Sequence, residues 1–340
     1  MKRVMIVAVG LALAAFWSLP AHAQSTQQGG RVTIWQNGVV GSGPSYMPTL
    51  NRYSHSAFRS SSSNPNLMYN GGPVETSTTV YIDFWGSDWN NSTFSQTSQG
   101  IKYTYRTAMN YIQAFFGNVG GSNWINTDNQ YCMSSTSTRV PNGTTDCSSY
   151  SGATFISNTG DSLPISGVWI DSSRAAPSRP TNSSIASEAN AARIHFGITS
   201  AAQAANATVL VFSPHGKSES GFGTQWCAWH SEASVSGLAL HYGYIPYMPD
   251  AGYSCGENFV NSKDNQFGNG FFDGFSVVAG HEYEEAQTDP NLNAWYDSSG
   301  NEDADKCAWN SASGDITLGG NTFAVQPIWS NKISGCTLGS

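Results

Sequence analysis

The stretch that decides the fold is FFDGFSVVAGHEYEEAQTDP, residues 271–290. Apolar and small residues fill its first half, acidic residues gather in its second half, and a proline closes it. We predict one helix here that ends before Pro290, because a proline ring cannot continue a helix. The apolar residues ahead of His281 indicate that the helix starts in the core rather than on the surface.

The centre of this stretch begins like the zinc-protease motif H-E-x-x-H, but Glu285 stands where the second histidine belongs. On a helix, His281 and Glu285 lie on one face about 6 Å apart. A carboxylate is a regular zinc ligand. Glu282 occupies the position of the general base in H-E-x-x-H enzymes. The residues therefore predict a metal site with one ligand exchanged, and a solvated acidic helix face is the alternative.

A catalytic zinc ion takes three protein ligands and keeps a fourth position open. The acidic loop NEDADKC, residues 301–307, follows the predicted helix and supplies two candidates for the third ligand, Glu302 and Asp305. Whichever of them is not a ligand would hold the ring of His281 by its second nitrogen. The sequence leaves both assignments open.

A second histidine, His230, ends the stretch QWCAWH at residues 225–230. It is a catalytic candidate that would polarise a scissile carbonyl as a donor to the oxyanion. The plainer interpretation is a packed, hydrogen-bonded histidine.

The N-terminus predicts export from the cell. Residues 1–23 combine a basic start, an apolar run and the small-residue end Ala21-His22-Ala23, which is typical of a signal peptide. No later stretch is apolar enough to cross a bilayer, so we expect a secreted, extracellular or periplasmic protein without a membrane span. The net charge is −8, which argues against a nucleic-acid partner because such a partner would need a basic patch.

Six cysteines in an exported chain indicate three disulfides, although 15 pairings are possible. Pairing between sequence neighbours predicts the bridges Cys132–Cys147, Cys227–Cys255 and Cys307–Cys336. A thiolate zinc site is disfavoured because the chain has no C-x-x-C pair.

Composition separates a leader from one domain. Residues 24–70 are rich in Ser, Gln, Asn and Gly and are predicted to be a loosely ordered linker or a pro-segment that covers an active site. Residues 71–340 mix strands and helices without regular βαβ alternation, so we predict a single α+β domain. The expected elements are strands at 74–86, 207–213 and 239–248, helices at 101–116 and 183–198, and a C-terminal β-hairpin at 316–331 that turns at Gly319-Gly320.

Several motifs in this order and spacing resemble the EXORDIUM family of plant secreted proteins and their exported bacterial relatives. They cover most of residues 70–340 and are NGGPV at 70–74 with VYIDFWG at 80–86, QWCAWH at 225–230, AGHEYEEAQTDPNLNAWY at 279–296, EDADKC at 302–307, and FAVQPIW at 323–329 followed by Cys336. The bacterial relatives are regarded as zinc-metallopeptidase-like. The resemblance therefore implies a disulfide-stabilised zincin-like domain with a mixed sheet and an active-site helix carrying His281, Glu282 and Glu285. It also makes the Glu302/Asp305 pair candidate site residues, whereas the plant pattern has another residue in place of His230.

Three functions remain in competition at this stage. The leading hypothesis is a secreted zinc-dependent endopeptidase that acts on a polypeptide substrate. The second is a non-catalytic extracellular module that binds cell-wall polysaccharide through Trp and Tyr side chains and holds a structural Ca²⁺ in the acidic cluster. The third, a glycoside hydrolase, lacks an identifiable pair of carboxylates at the required separation.

Overall fold

Among the described residues, a mixed sheet of eight strands forms the centre of the molecule. The protein is represented by a computed structural model that describes residues 34–36, 39–41, 43–55, 65–160 and 162–339. The predicted signal peptide, residues 1–23, lies outside the described residues. The strands of the sheet are β1 (Ile34–Gln36), β2 (Val39–Gly41), β3 (Ser45–Pro48), β4 (Thr79–Trp85), β5 (Val168–Asp171), β6 (Ala207–Phe212), β7 (Trp226–Val235) and β8 (Leu238–Ile245).

The strands follow the order β1-β2-β7-β8-β6-β4-β5, and β3 pairs with β7 beside β2. The four strands β5, β4, β6 and β8 run parallel, whereas β7 runs antiparallel to β8, β2 and β3. The sheet is therefore mixed, as predicted for an α+β domain. Its antiparallel side carries His230 on β7.

The described part of the chain contains five α-helices: α1 (Leu50–His55), α2 (Tyr105–Phe116), α3 (Asn182–His195), α4 (Ala201–Ala204) and α5 (Asp273–Thr288). Short two-stranded ladders join Met68–Tyr69 to Trp295–Tyr296, Gln96–Ser98 to Ile101–Tyr103, Cys132–Met133 to Thr154–Phe155, Gly314–Leu318 to Asn321–Val325, and Ile328–Ser330 to Gly335–Thr337. None of these helices is both long enough and apolar enough to span a bilayer.

Side chains alternate across the sheet and build one core on each face. On β4, Ile82 and Phe84 join the larger core with α2 and α5, while Trp85 joins a second core with α3. The hairpin Gly314–Leu318/Asn321–Val325 turns at Gly319 and Gly320, whose φ angles of 55° and 82° suit glycine. This hairpin and the three disulfides Cys132–Cys147, Cys227–Cys255 and Cys307–Cys336 are confirmed.

Several predicted boundaries are wrong. The helix expected at 101–116 begins at Tyr105, because residues 101–103 pair with Gln96–Ser98 and Thr104 caps the helix. The strand expected at 239–248 ends at Ile245, immediately before Pro246. The helix expected at 183–198 spans Asn182–His195 and is capped by Thr181.

Part of the leader predicted to be loosely ordered is folded onto the domain. Residues 45–48 form β3 in the main sheet, and Leu67 and Tyr69 are buried. The composition misleads here because a few apolar residues within a polar stretch are enough to anchor it to the domain. Met47, for example, is fully buried in the larger core. The remaining leader residues, at 24–33, 37–38, 42 and 56–64, lie outside the described residues.

Candidate metal centre

The helix α5 positions three of the predicted site residues in the interior of the protein. All 16 of its residues are buried, so the helix is surrounded by protein on every side. Gly274 makes this packing possible, since a Cβ there would come within 2.3 Å of the Cys255 carbonyl oxygen. His281, Glu282 and Glu285 are each no more than 1% exposed. The alternative of a solvated acidic helix face is therefore excluded.

One group of potential metal ligands consists of His281, Glu285 and Asp305. The Nε2 atom of His281 lies 3.1 Å from Glu285 Oε1 and 3.7 Å from Asp305 Oδ1. The backbone N–H of Asp305 donates to Glu285 Oε1 at 3.0 Å, which fixes the loop against the helix. The disulfide of Cys307, two residues later, ties the same loop to Cys336.

Gln326 orients the ring of His281. Its amide Nε2 donates to the carbonyl of Ala304 at 2.9 Å, so its Oε1 is the atom that faces His281 Nδ1 at 3.2 Å. Because that oxygen can only accept, Nδ1 carries a proton and Nε2 is the nitrogen that could bind a metal ion. Sequence reasoning missed Gln326, although it stands as a lone polar residue between apolar ones in FAVQPIW.

A second group of potential ligands consists of His230, Glu282 and Glu285. Nδ1 of His230 lies 3.2 Å from Glu282 Oε2 and 3.3 Å from Glu285 Oε2. Nε2 of the same ring lies 3.5 Å from Glu302 Oε1, and Glu302 Oε2 accepts a hydrogen bond from Ser45 Oγ at 2.7 Å. All six predicted site residues therefore meet in one place, with Glu285 shared by both groups.

The electrostatics of the site follow from burying several carboxylates around two imidazoles. Burial alone would lower the pKa of His230, but Glu302, Glu282 and Glu285 raise it well above its usual value. Burial likewise opposes ionisation of His281, yet Glu285 and then Glu282 and Asp305 raise its pKa to about 10. Both histidines are held as cations among carboxylates, as long as no metal ion takes the place of their protons.

The carboxylates differ in the direction in which their pKa is shifted: it is lowered for Glu285 and raised for the other three. Burial would raise the pKa of Glu285, but His281 and His230 lower it to about 2. Burial raises the pKa of Glu282 to about 7, a value suited to a general base at neutral pH. Burial and then the negative charge of Glu285 raise the pKa values of Glu302 and Asp305.

Unpaired buried atoms test whether a metal ion fits these residues. Within the described part of the chain, five buried atoms of the site make no hydrogen bond of good geometry, although four of them lie in ion pairs at 3.1–3.5 Å: His281 Nε2, Glu285 Oε2, His230 Nε2, Glu302 Oε1 and, outside these pairs, Glu282 Oε1. Leaving buried polar atoms unpaired costs free energy. Ligands bound tetrahedrally to zinc lie about 3.4 Å apart, which matches the 3.1 and 3.7 Å separations in the first group. The donor set therefore fits zinc.

The two candidates for the third ligand occupy different places. Asp305 faces His281, whereas Glu302 lies on the far side of His230. Neither holds the second nitrogen of His281, which is the role of Gln326. His230 is packed and buried, in line with the plainer interpretation, but its partners are the carboxylates of the site itself.

No protein-family model, curated protein or solved structure matches this chain.

Proposed function

We propose that the protein is a secreted zinc-dependent endopeptidase, with zinc held by His281, Glu285 and Asp305. The observation that carries this proposal is the first ligand group: one imidazole and two carboxylates lie at zinc-ligand separations, with Glu282 beside them on the same helix. A bound zinc ion supplies Lewis acidity and lowers the pKa of water toward about 7.

Glu282 is the general base of the proposed reaction. Its carboxylate takes a proton from the attacking water and passes it to the leaving amine as the peptide bond breaks. Burial raises its pKa to about 7, so the group can both accept and release a proton near neutral pH. One of its oxygens, Oε1, has no hydrogen-bond partner among the described residues and is free for this task.

His230 is the electrostatic partner of this base in the proposal. It lies 3.2 Å from Glu282 Oε2, and its surrounding carboxylates keep the ring protonated. A buried imidazolium stabilises negative charge that develops on a carbonyl oxygen nearby. The same charge keeps Glu282, Glu285 and Glu302 together, since three clustered carboxylates would otherwise repel one another.

The resemblance to the exported bacterial relatives of the EXORDIUM family supports the same activity, and the zincin-like fold belongs to this proposal with it. The three disulfides support secretion, because such bridges persist in oxidising compartments.

The alternative function is the extracellular polysaccharide-binding module with structural calcium. The histidine nitrogens argue for zinc, since calcium prefers oxygen ligands alone.

The test is the metal content of the purified mature protein combined with hydrolysis of a casein-type substrate. We expect one zinc ion per chain, hydrolysis that a chelator abolishes, and recovery when zinc is restored. Asp315→Asn, which alters an exposed carboxylate, serves as the control and should behave like the parent. Calcium in place of zinc would favour the binding module. Absence of hydrolysis by the zinc-loaded parent and also by a zinc-loaded variant whose β3 is displaced would refute the endopeptidase.

A further inference from the structure

The strand β3, from the N-terminal leader, lies directly against the candidate site. It pairs antiparallel with β7 through Pro48 opposite Trp226, Met47 opposite Ala228 and Ser45 opposite His230. The leader therefore occupies the edge of the very strand that carries a site histidine. Cys227 on β7 is bridged to Cys255, so this edge is a fixed part of the domain.

The side chains of β3 fill three different subsites. Ser45 donates to Glu302 Oε2 at 2.7 Å, and Met47 is 0% exposed within the larger core. Tyr46 points to the other side, with its ring 5.6 Å from that of Trp226 and 6.3 Å from that of Trp229. The β7 edge therefore binds an extended segment through a hydrogen bond to Glu302, ring contacts with Trp226 and Trp229 (the Trp226/Trp229 clamp), and an apolar pocket, as in recognition by strand addition.

With the leader in this place the site is closed to a polypeptide. His230, Glu282 and Glu285 are at most 1% exposed, and the Asp305 side chain is 16% exposed. The helix α1, next in the leader, packs against the larger core through Leu50 and Tyr53. A substrate amide can reach Glu282 only if a segment that covers the site moves away from it.

The leader is the segment suited to move. The six cysteines pair among themselves within residues 132–336, so none ties residues 43–55 to the domain. Besides the strand pairing, its described tethers include Trp309 Nε1 donating to the Pro48 carbonyl at 2.7 Å and Thr49 N–H donating to Gln225 at 3.4 Å. These two are single hydrogen bonds of modest net strength, and the buried side chain of Met47 is the main apolar contact of β3 with the domain.

We propose that the β7 edge from Trp226 to His230 is the binding site for an extended polypeptide, and that residues 45–48 are an internal occupant that keeps the site closed. The inference rests on the proposed function. It assigns a substrate class: an extended segment with an aromatic residue for the Trp226/Trp229 clamp, followed by a methionine-sized apolar residue for the pocket that Met47 fills.

The test displaces the leader and offers the same sequence as a free peptide. Met47→Asp places a carboxylate in the core and should release β3. The probe is a fluorescein-labelled peptide GPSYMPT, residues 43–49, with GPSYDPT as the control peptide, and binding is followed by fluorescence anisotropy. We expect Met47→Asp to bind GPSYMPT at least 10-fold more tightly than the parent and to bind GPSYDPT no better than the parent does.

Two further variants keep the test decisive. Ile194→Asp adds the same charge at a position that is 61% exposed on α3 and should leave binding at the parent level. Tyr46→Ala keeps Met47 and removes only the aromatic contact, so it decides the question if Met47→Asp does not fold. The inference is overturned if no folded variant binds GPSYMPT more tightly than the parent.

Binding and hydrolysis separate this inference from the proposed function. Peptide binding by Met47→Asp without hydrolysis of casein would keep the edge site and reject the endopeptidase. Equal hydrolysis by the parent and by Met47→Asp, with no peptide binding, would keep the endopeptidase and reject the internal occupant. If both proposals hold, Met47→Asp should hydrolyse casein at least 10-fold faster than the parent.

Discussion

At the scale of single residues, Glu285 is the link between the two halves of the site. Its Oε1 lies 3.1 Å from His281 and its Oε2 lies 3.3 Å from His230. The two histidines lower its pKa to about 2 against the opposing effect of burial, so it is ionised at neutral pH. Removing it therefore leaves two buried imidazoles without their common counter-charge.

Glu285→Ala should lose zinc, because two remaining protein ligands rarely retain the ion. Glu285→His should retain it, since the i, i+4 spacing to His281 is already present and an imidazole nitrogen binds zinc at about 2.0–2.1 Å. Zinc stoichiometry after dialysis against a mild chelator measures both. Zinc binding by Glu285→Ala equal to that of the parent would remove Glu285 from the ligand set.

Glu282→Gln should keep zinc and the fold but reduce hydrolysis by about 10²–10⁴-fold, the usual effect of removing a general base. The amide has nearly the same shape and can still meet His230, but it cannot accept the proton of the attacking water. Steady-state hydrolysis and zinc content are measured on the same preparation. Loss of zinc would instead make Glu282 a ligand, and full activity would make it neither ligand nor base.

Some residue roles were predictable and others were not. The motif placed His281, Glu282 and Glu285 together because an i, i+4 spacing is a local property of a helix. Gln326 contacts His281 across a separation of 45 positions in the chain. Ser45 contacts Glu302 across a separation of 257 positions. No local pattern records such contacts, since they depend on how the sheet and the C-terminal ladders pack.

At the scale of elements, a second buried acidic cluster lies between the sheet and α3. Asp83 of β4, Asp171 of β5 and Glu188 of α3 interact with one another. Burial and then Asp171 raise the pKa of Glu188 to about 8, and burial and then Glu188 raise that of Asp83 well above its usual value. The packing of α3 against the sheet is therefore most stable when Glu188 and Asp83 are protonated.

The sign of the resulting pH dependence follows from linkage. Glu188 titrates near 4.5 in the unfolded chain and near 8 in the fold, so the folded state binds more protons between these values and stability falls as pH rises through that window. Glu188→Gln cannot ionise and should lose less stability between pH 5 and pH 8. At pH 8 its Tm should exceed that of the parent by roughly 2–4 °C.

Thermal unfolding at pH 5 and pH 8 measures this effect for the parent, Glu188→Gln and the exposed control Asp315→Asn. The control should follow the parent at both values. If Glu188→Gln shows the same fall in Tm between pH 5 and pH 8 as the parent, proton binding at this junction contributes nothing to the pH dependence.

Element types were predicted better than element boundaries. The helix α5 and the hairpin at Gly319-Gly320 follow from local signals, a stop at Pro290 and a pair of glycines. Residues 101–103 were assigned to a helix because their apolar residues continue the spacing of α2. Their strand pairing with residues 96–98 depends on a turn at Gln99-Gly100, which helical periodicity does not detect.

At the scale of the whole molecule, the site is assembled from four separate stretches of chain. His230 comes from β7, His281 to Glu285 from α5, Glu302 and Asp305 from the loop near Cys307, and Gln326 from beyond the C-terminal hairpin. The sequence predicted candidate residues in the first three stretches, because their histidines and carboxylates have a chemical signature, and it missed Gln326. It could not predict that β7 lies over α5, since that depends on the strand order of the mixed sheet.

A metal ion held by His281, Glu285 and Asp305 joins two of these stretches, α5 and the loop near Cys307, and should stabilise the fold. Binding to the folded state alone adds about 4 kcal/mol when the free metal is at 1,000 times its Kd. Zinc would also bind His281 Nε2, which is buried and makes no hydrogen bond of good geometry. We therefore expect a chelator to lower the Tm of the parent by roughly 8–16 °C and added zinc to restore it.

Glu285→Ala is the control for this last prediction, because it should unfold at the same temperature with chelator and with zinc. Scanning calorimetry of both proteins, each with chelator and with a small excess of zinc, gives the four values required. An equal response of the two proteins would place the stabilising metal outside the site on α5. No response from the parent would mean that zinc does not join α5 to the loop near Cys307, and that the positive charges on His230 and His281 alone hold the carboxylates together.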